Sequence, residues 1–122
     1  MKTIMVLVVD DNPGVLNLAG AVLRRGGLGV LTATNGENAL RIMEAHEGEV
    51  DLVLYDVCMP QMTGTELVRK IRKVAPSVIV ALMSGEVGQE VVEPDVPFIH
   101  KPFVPNTLMT TIRELVSRHH NP

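Results

Sequence analysis

Asp10-Asp11, Asp56, Ser84 and Lys101 each stand at the end of a short apolar run. Their side-chain types fit phosphoryl chemistry. A carboxylate can attack phosphorus and carry the group as an acyl phosphate. Such a transfer needs positioning and charge neutralisation more than covalent help. Asp56 is the candidate nucleophile, Lys101 the neutralising cation and Ser84 the hydroxyl that hydrogen-bonds a phosphoryl oxygen. Three carboxylates in one crevice repel each other, and a hard divalent cation relieves that repulsion. Mg2+ prefers oxygen and keeps several waters, so one or two carboxylates and a carbonyl are enough. Asp10, Asp11 and Asp56 are the candidate metal ligands, with the backbone carbonyl of Cys58 beside them. The Cys58 thiol would serve a hard cation poorly. Taken singly, each residue has a plainer reading: an aspartate that caps a helix, a serine in a turn, a solvated lysine. The set carries chemistry only if the fold gathers it at one place.

The elements that must do the gathering alternate strand and helix five times. Ile4–Val9, Val30–Ala33, Leu52–Tyr55, Val78–Met83 and Val96–Ile99 read as strands. The first is apolar at every position, as in a strand covered on both faces. Pro97 marks the last as an edge strand. Asp11 or Asn12 can cap the first helix, and Pro13 suits its first turn. That helix uses Val15, Leu18, Ala19, Val22 and Leu23 at helical spacing and stops at Gly26-Gly27. Asn35-Gly36 opens a second helix with Ala39, Leu40 and Met43 on one face, ended by Gly48. Thr63-Gly64-Thr65-Glu66 reads as a capping box for a third, built on Leu67, Val68, Ile71 and Val74. The segment Glu86–Glu93 offers a short helix weakened by Gly88. The last helix runs from about Pro105 to Arg118, with His119-His120-Asn121-Pro122 as a frayed tail.

Five such units without a linker or internal repeat predict a single domain over residues 1–122. The expected fold class is α/β: a flavodoxin-like doubly wound (βα)5 parallel sheet in three α/β/α layers, strand order 2-1-3-4-5. In open sheets of this kind ligands bind beyond the carboxyl ends of the strands. The polar residues singled out above fall at that edge.

Composition narrows the function classes. The chain has 122 residues, 46% of them hydrophobic, enough for one core. A net charge of −3 offers no electrostatic footprint for nucleic acid and no basic block for an anionic membrane. The apolar start is too short for a signal peptide, and no run reaches the length of a bilayer span. The single cysteine, Cys58, allows no internal disulfide, which suits a cytoplasmic setting. His46 and His100 read as surface or edge residues, and the seven methionines as core filler.

The stretches Val8-Val9-Asp10-Asp11-Asn12, Leu52 to Pro60, Gly64, Met83-Ser84-Gly85 and Lys101-Pro102-Phe103, in this order and spacing, resemble the receiver domains of two-component response regulators. The resemblance implies that Asp56 accepts a phosphoryl group from a histidine kinase or a histidine phosphotransfer domain. It implies that Asp10 and Asp11 hold Mg2+, Asp11 more directly, with Asp56 and the Cys58 carbonyl completing the protein ligands. By the same resemblance Ser84 is a switch hydroxyl, Phe98 the switch aromatic three residues before Lys101, and Lys101-Pro102 a cis bond. Ser84 and Phe98 stand where the family more often has Thr and Tyr. The segment between Ser84 and Lys101 is short for the family, a trait shared with receivers attached to hybrid histidine kinases. The output partner, protein or domain, is left unspecified, and the domain is expected to be a phosphoacceptor, not a turnover enzyme.

Two other readings use the same fold. A phosphatase of the haloacid dehalogenase type also has a strand-end Asp and Mg2+, but needs a second Asp two positions after the nucleophile. Cys58 follows Asp56 at that spacing and Asn12 follows Asp10. The other is a flavodoxin-like module that is not phosphorylated: an FMN carrier would offer its first loop to a phosphate, which Asp10-Asp11 would repel, and an inert interaction module would have no use for the acidic set with Ser84 and Lys101.

Overall fold

A computed structural model describes residues 3–57, 63–84, 96–101 and 104–120. Its elements are β1 (Met5–Val9), α1 (Pro13–Arg25), β2 (Gly29–Ala33), α2 (Gly36–Ala45), β3 (Leu52–Asp56), α3 (Gly64–Val74), β4 (Ile79–Ser84), β5 (Phe98–His100) and α4 (Pro105–His120). The strands form one parallel sheet in the order β2-β1-β3-β4-β5. This is the expected flavodoxin-like order.

Burial follows position in the sheet. The central β3 is buried at every residue, and β1 and β4 at all but their first. The edge strands β2 and β5 are only partly covered. Side chains of a strand alternate between faces. Val6, Val8, Leu52, Leu54, Ala81 and Met83 therefore pack with residues of α1 and α4. Leu7, Val9, Val53, Tyr55, Val80 and Leu82 pack on the other face with residues of α2 and α3. Burying one such aliphatic side chain contributes about 1.5–3 kcal/mol, so these layers hold the strand ends in place.

Local chemistry sets where the helices begin and end. Asn12, not Asp11, caps α1: its Oδ1 accepts from Gly14 N at 2.8 Å and from Val15 N at 3.3 Å. The helix closes in a Schellman motif, with Gly27 N–H donating to Arg24 O and Leu28 N–H to Leu23 O. Gly27 takes the left-handed conformation this requires, at φ 89°. Thr63 Oγ1 accepts from Glu66 N at 3.1 Å at the start of α3.

Four expectations need correction. Leu18 is exposed, and Leu16 joins Ala19 and Leu23 on the buried stripe of α1. Helix α2 stops at Ala45 with His46 as its cap, short of Gly48. The last strand is Phe98–His100, because Pro97 has no N–H to give; it joins the sheet only through its carbonyl, which accepts from Leu82 N. Helix α4 runs through His120, so the backbone of the two histidines is helical and not a frayed tail. The expectations for Cys58, Gly85, the Glu86–Glu93 helix and the Lys101-Pro102 bond lie outside the described residues.

Candidate functional site

The strands end at one edge, and the polar residues collect there. Asp10 follows β1, Asp56 closes β3, Ser84 closes β4 and Lys101 follows β5. All but the last are buried: Asp10 is 0% exposed, Asp56 4% and Ser84 1%. Lys101 reaches inward over them. Its Nζ donates to Asp10 Oδ2 at 2.8 Å and to Asp56 Oδ2 at 3.2 Å. Its backbone N–H donates to Ser84 O at 2.8 Å, tying the lysine to the end of β4. The other Asp10 oxygen, Oδ1, accepts from Asn12 N at 2.9 Å. One residue thus serves twice: the Asn12 side chain caps the helix while its N–H fixes a carboxylate.

Asp11 is exposed beside this group. One carboxylate oxygen from each of Asp10, Asp11 and Asp56 lies within 4.8 Å of the others. Such a set of hard oxygen donors, open to water on the Asp11 side, fits a divalent cation of the Mg2+ kind. The cluster can hold a metal ion.

The electrostatics follow from burial. Burial pushes the Asp10 carboxyl above its usual range, and the Asp56 charge adds to this. The hydrogen bonds from Lys101 and Asn12 work against it without winning. For Lys101, burial acts to lower the pKa, but the hydrogen bond to Asp10 and the charges of Asp56 and Asp10 outweigh it. The ammonium is held above its usual range and stays charged. Tyr55, fully buried next to Asp56, is pushed up to about 12 by burial, then by the charges of Asp56 and Glu66.

Phe98 is partly buried against the core face carrying α2 and α3. Its ring centroid lies 5.1 Å from that of His100, with the planes tilted by 57°. Sequence reasoning placed His100 at the edge correctly but missed this contact. The signal was available: residues two apart on a strand share a face. It also missed Tyr55, whose place one residue before Asp56 puts its ring in the opposite direction, toward α2 and α3.

A parallel five-stranded sheet with an acidic cluster and a lysine at its carboxyl edge defines a receiver-type fold. Residues 6–113 match the response regulator receiver domain family, and the chain belongs to it. Among curated proteins it is similar to the sensor kinase CckA of Brucella abortus, 35% identical over 119 residues, which cover 93% of this chain and 12% of the relative. It is also similar to the transcriptional regulatory protein GlrR of Escherichia coli, 38% identical over 84 residues, covering 69% of this chain and 18% of the relative. The chain therefore spans a small part of the length of both.

Solved structures agree. A CheY-like receiver domain protein from Methanospirillum hungatei superimposes with a TM-score of 0.86 at 26% identity, covering 98% of both chains. The receiver domain of the hybrid histidine kinase CckA superimposes with a TM-score of 0.80 at 34% identity, covering 92% of this chain and 98% of the other. The domain is a phosphorylation-dependent signalling switch of the two-component type. Among the described residues no helix is long and apolar enough to cross a membrane.

Proposed function

We propose that Asp56 is the phosphoacceptor, that Lys101 and Ser84 bind the phosphoryl oxygens, and that Asp10, Asp11 and Asp56 hold Mg2+ with the Cys58 carbonyl. The observation that carries this reading is the contact of Lys101 Nζ with both Asp56 and Asp10. An ammonium already 3.2 Å from the nucleophilic carboxylate is in reach of a group attached to it. An Asp56 oxygen forms the new P–O bond while the P–N bond to the donor imidazole breaks. The electron pair of that bond leaves with the imidazole nitrogen. Magnesium, when bound, supplies positive charge to offset the phosphoryl oxygens.

The donor in this reading is a histidine kinase or a histidine phosphotransfer domain. The likeness to the CckA receiver supports a module of a longer hybrid kinase. Ser84 and Phe98 form the switch: the hydroxyl swings toward the phosphoryl group and the Phe98 ring turns into the space it leaves. The changed face then meets an output protein or domain. The domain acts in the cytoplasm, and it is modified once, not a catalyst of repeated hydrolysis.

Incubation with a small phosphodonor and Mg2+ tests this. The expected result is a gain of one phosphoryl group per chain, lost in Asp56→Asn, and no sustained release of phosphate from a generic phosphate ester. Unchanged labelling of Asp56→Asn overturns the assignment.

A further inference from the structure

We propose that the outer face of α2 and α3 is an interface for a second copy of this chain, the acidic end of α2 on each copy facing the basic side of α3 on the other. Helix α3 buries Leu67, Val68 and Ile71 and turns Arg69, Lys70, Arg72 and Lys73 to solvent. Its one acid, Glu66, sits in the first turn and accepts from Thr63 Oγ1. The chain as a whole carries −3, so this positive side is a local departure. A helix C-terminus favours cations, which accounts for Arg72 and Lys73 in the last turn but not for Arg69 and Lys70 before it. Helix α2 has the opposite sign. Glu44 near its end is exposed, as are Glu47 and Glu49 just beyond. Glu37 pairs with Arg41 and Glu49 with His46. Among the described residues no ion pair engages Glu44, Glu47, Arg69, Lys70 or Lys73. Two unneutralised patches of opposite sign thus lie on neighbouring helices.

Their placement makes the face complementary to itself. Each helix follows a strand of the parallel sheet and runs back from its carboxyl edge to its amino edge. The two touch side by side on one face of the sheet. They therefore run in the same direction, and their last turns stand at one level. A two-fold axis along that direction, above the face and midway between the helices, lays α2 of each copy over α3 of the other. Glu44 and Glu47 then face Arg69 and Lys73, and the symmetry makes the contact twice. An axis across the helices would set acid on acid and base on base. The chosen axis also keeps both carboxyl edges at the same end of the pair, so the two clusters of Asp10, Asp56 and Lys101 open the same way. Exposed ion pairs add little each, which makes the dimer weak and sensitive to salt.

Sedimentation equilibrium of the whole chain at low and at high salt tests this. The expected result is a reversible monomer–dimer equilibrium at low salt that moves toward monomer as salt rises. Because every contact occurs twice, Lys73→Glu weakens the dimer roughly tenfold, and Glu44→Lys does the same. Mixing the two variants restores association: the mixed pair keeps one native contact and carries the other with its charges exchanged. Arg69→Glu and Glu47→Lys stand in if either variant does not fold. A chain that stays monomeric at low salt, or a dimer that both reversals leave intact, overturns the proposal. Weakening without recovery in the mixture overturns the pairing of α2 with α3. Poly-L-glutamate and a DNA duplex are added in separate runs as rival occupants. A chain that stays monomeric while binding either of them through Lys73 gives the basic side to another partner and overturns the second copy.

Discussion

Lys101 Nζ bonds Asp10 more closely than Asp56, at 2.8 Å against 3.2 Å, although Lys101 and Asp10 leave the sheet three strands apart. In the proposed reading, the lysine rests on the carboxylate that does not accept the phosphoryl group. It needs only a small shift to meet a group on Asp56.

Lys101→Met should leave Asp10 and Asp56 facing each other with no cation between them. Removing one partner of a buried pair costs several kcal/mol; the 18% exposure of the lysine side chain reduces this to about 2 kcal/mol. Urea unfolding at pH 7 in a chelator measures it, and adding Asp10→Asn should return much of the loss. Phosphorylation by a small donor should fall steeply in Lys101→Met. Wild-type stability and labelling in that variant would contradict the role given to Lys101.

Tyr55 is the only tyrosine, and the chain has no tryptophan, so its ionisation can be followed alone by ultraviolet absorbance. In metal-free folded protein it should titrate near about 12, against 10.0 for the ordinary phenol. The folded state favours the neutral phenol. The associated stability is fully present below pH 10 and is lost as pH rises toward 12, where the unfolded chain has already ionised. Titration of the native protein at the unfolded value would show that Tyr55 is not buried beside Asp56.

Mg2+ should stabilise the folded chain by mass action. At ten times its dissociation constant the gain is about 1.4 kcal/mol. Asp11→Asn, which removes the exposed carboxylate of the cluster, should weaken the metal and most of this gain while the metal-free stability stays close to wild type. Thermal melts with and without Mg2+ read both. An equal gain in wild type and Asp11→Asn would place the ion elsewhere.

Asn12→Ala removes the acceptor for Gly14 N and Val15 N. The expected loss is about 1 kcal/mol in urea unfolding. The backbone N–H that bonds Asp10 is untouched by this change, so phosphorylation should persist. Loss of labelling without loss of stability would mean that the Asn12 side chain, too, belongs to the site.

The site was legible because strand ends are legible. Apolar runs that stop at Asp10, Asp56 and Ser84 mark both the strand and the edge, and parallel pairing then brings distant residues together. Boundaries were harder where two physical signals compete. Helix α1 is apolar around much of its circumference, so Val15–Leu18–Val22 and Leu16–Ala19–Leu23 both look like core stripes. Packing on the sheet buries the second, keeps Val15 and Val22 at its margin and leaves Leu18 exposed. At β5 the apolar run begins at Val96, but pairing starts later because Pro97 lacks a donor. Asp11 and Asn12 were equal candidates as the cap, since both residue types serve there. The structure decides by giving the Asn12 oxygen to the helix and leaving Asp11 exposed. The inward direction of Lys101 follows only if the strands share one sheet edge, as expected here, because a lysine after an edge strand can as easily point into solvent.

The central claim is that Asp56 carries the phosphoryl group. Borohydride reduction of the phosphorylated protein, followed by peptide mass analysis, tests it directly, because it converts an aspartyl acyl phosphate to homoserine at the modified position. The expected product is homoserine at residue 56 and at no other aspartate. Homoserine at residue 10 or 11, or a label that resists reduction, would contradict it.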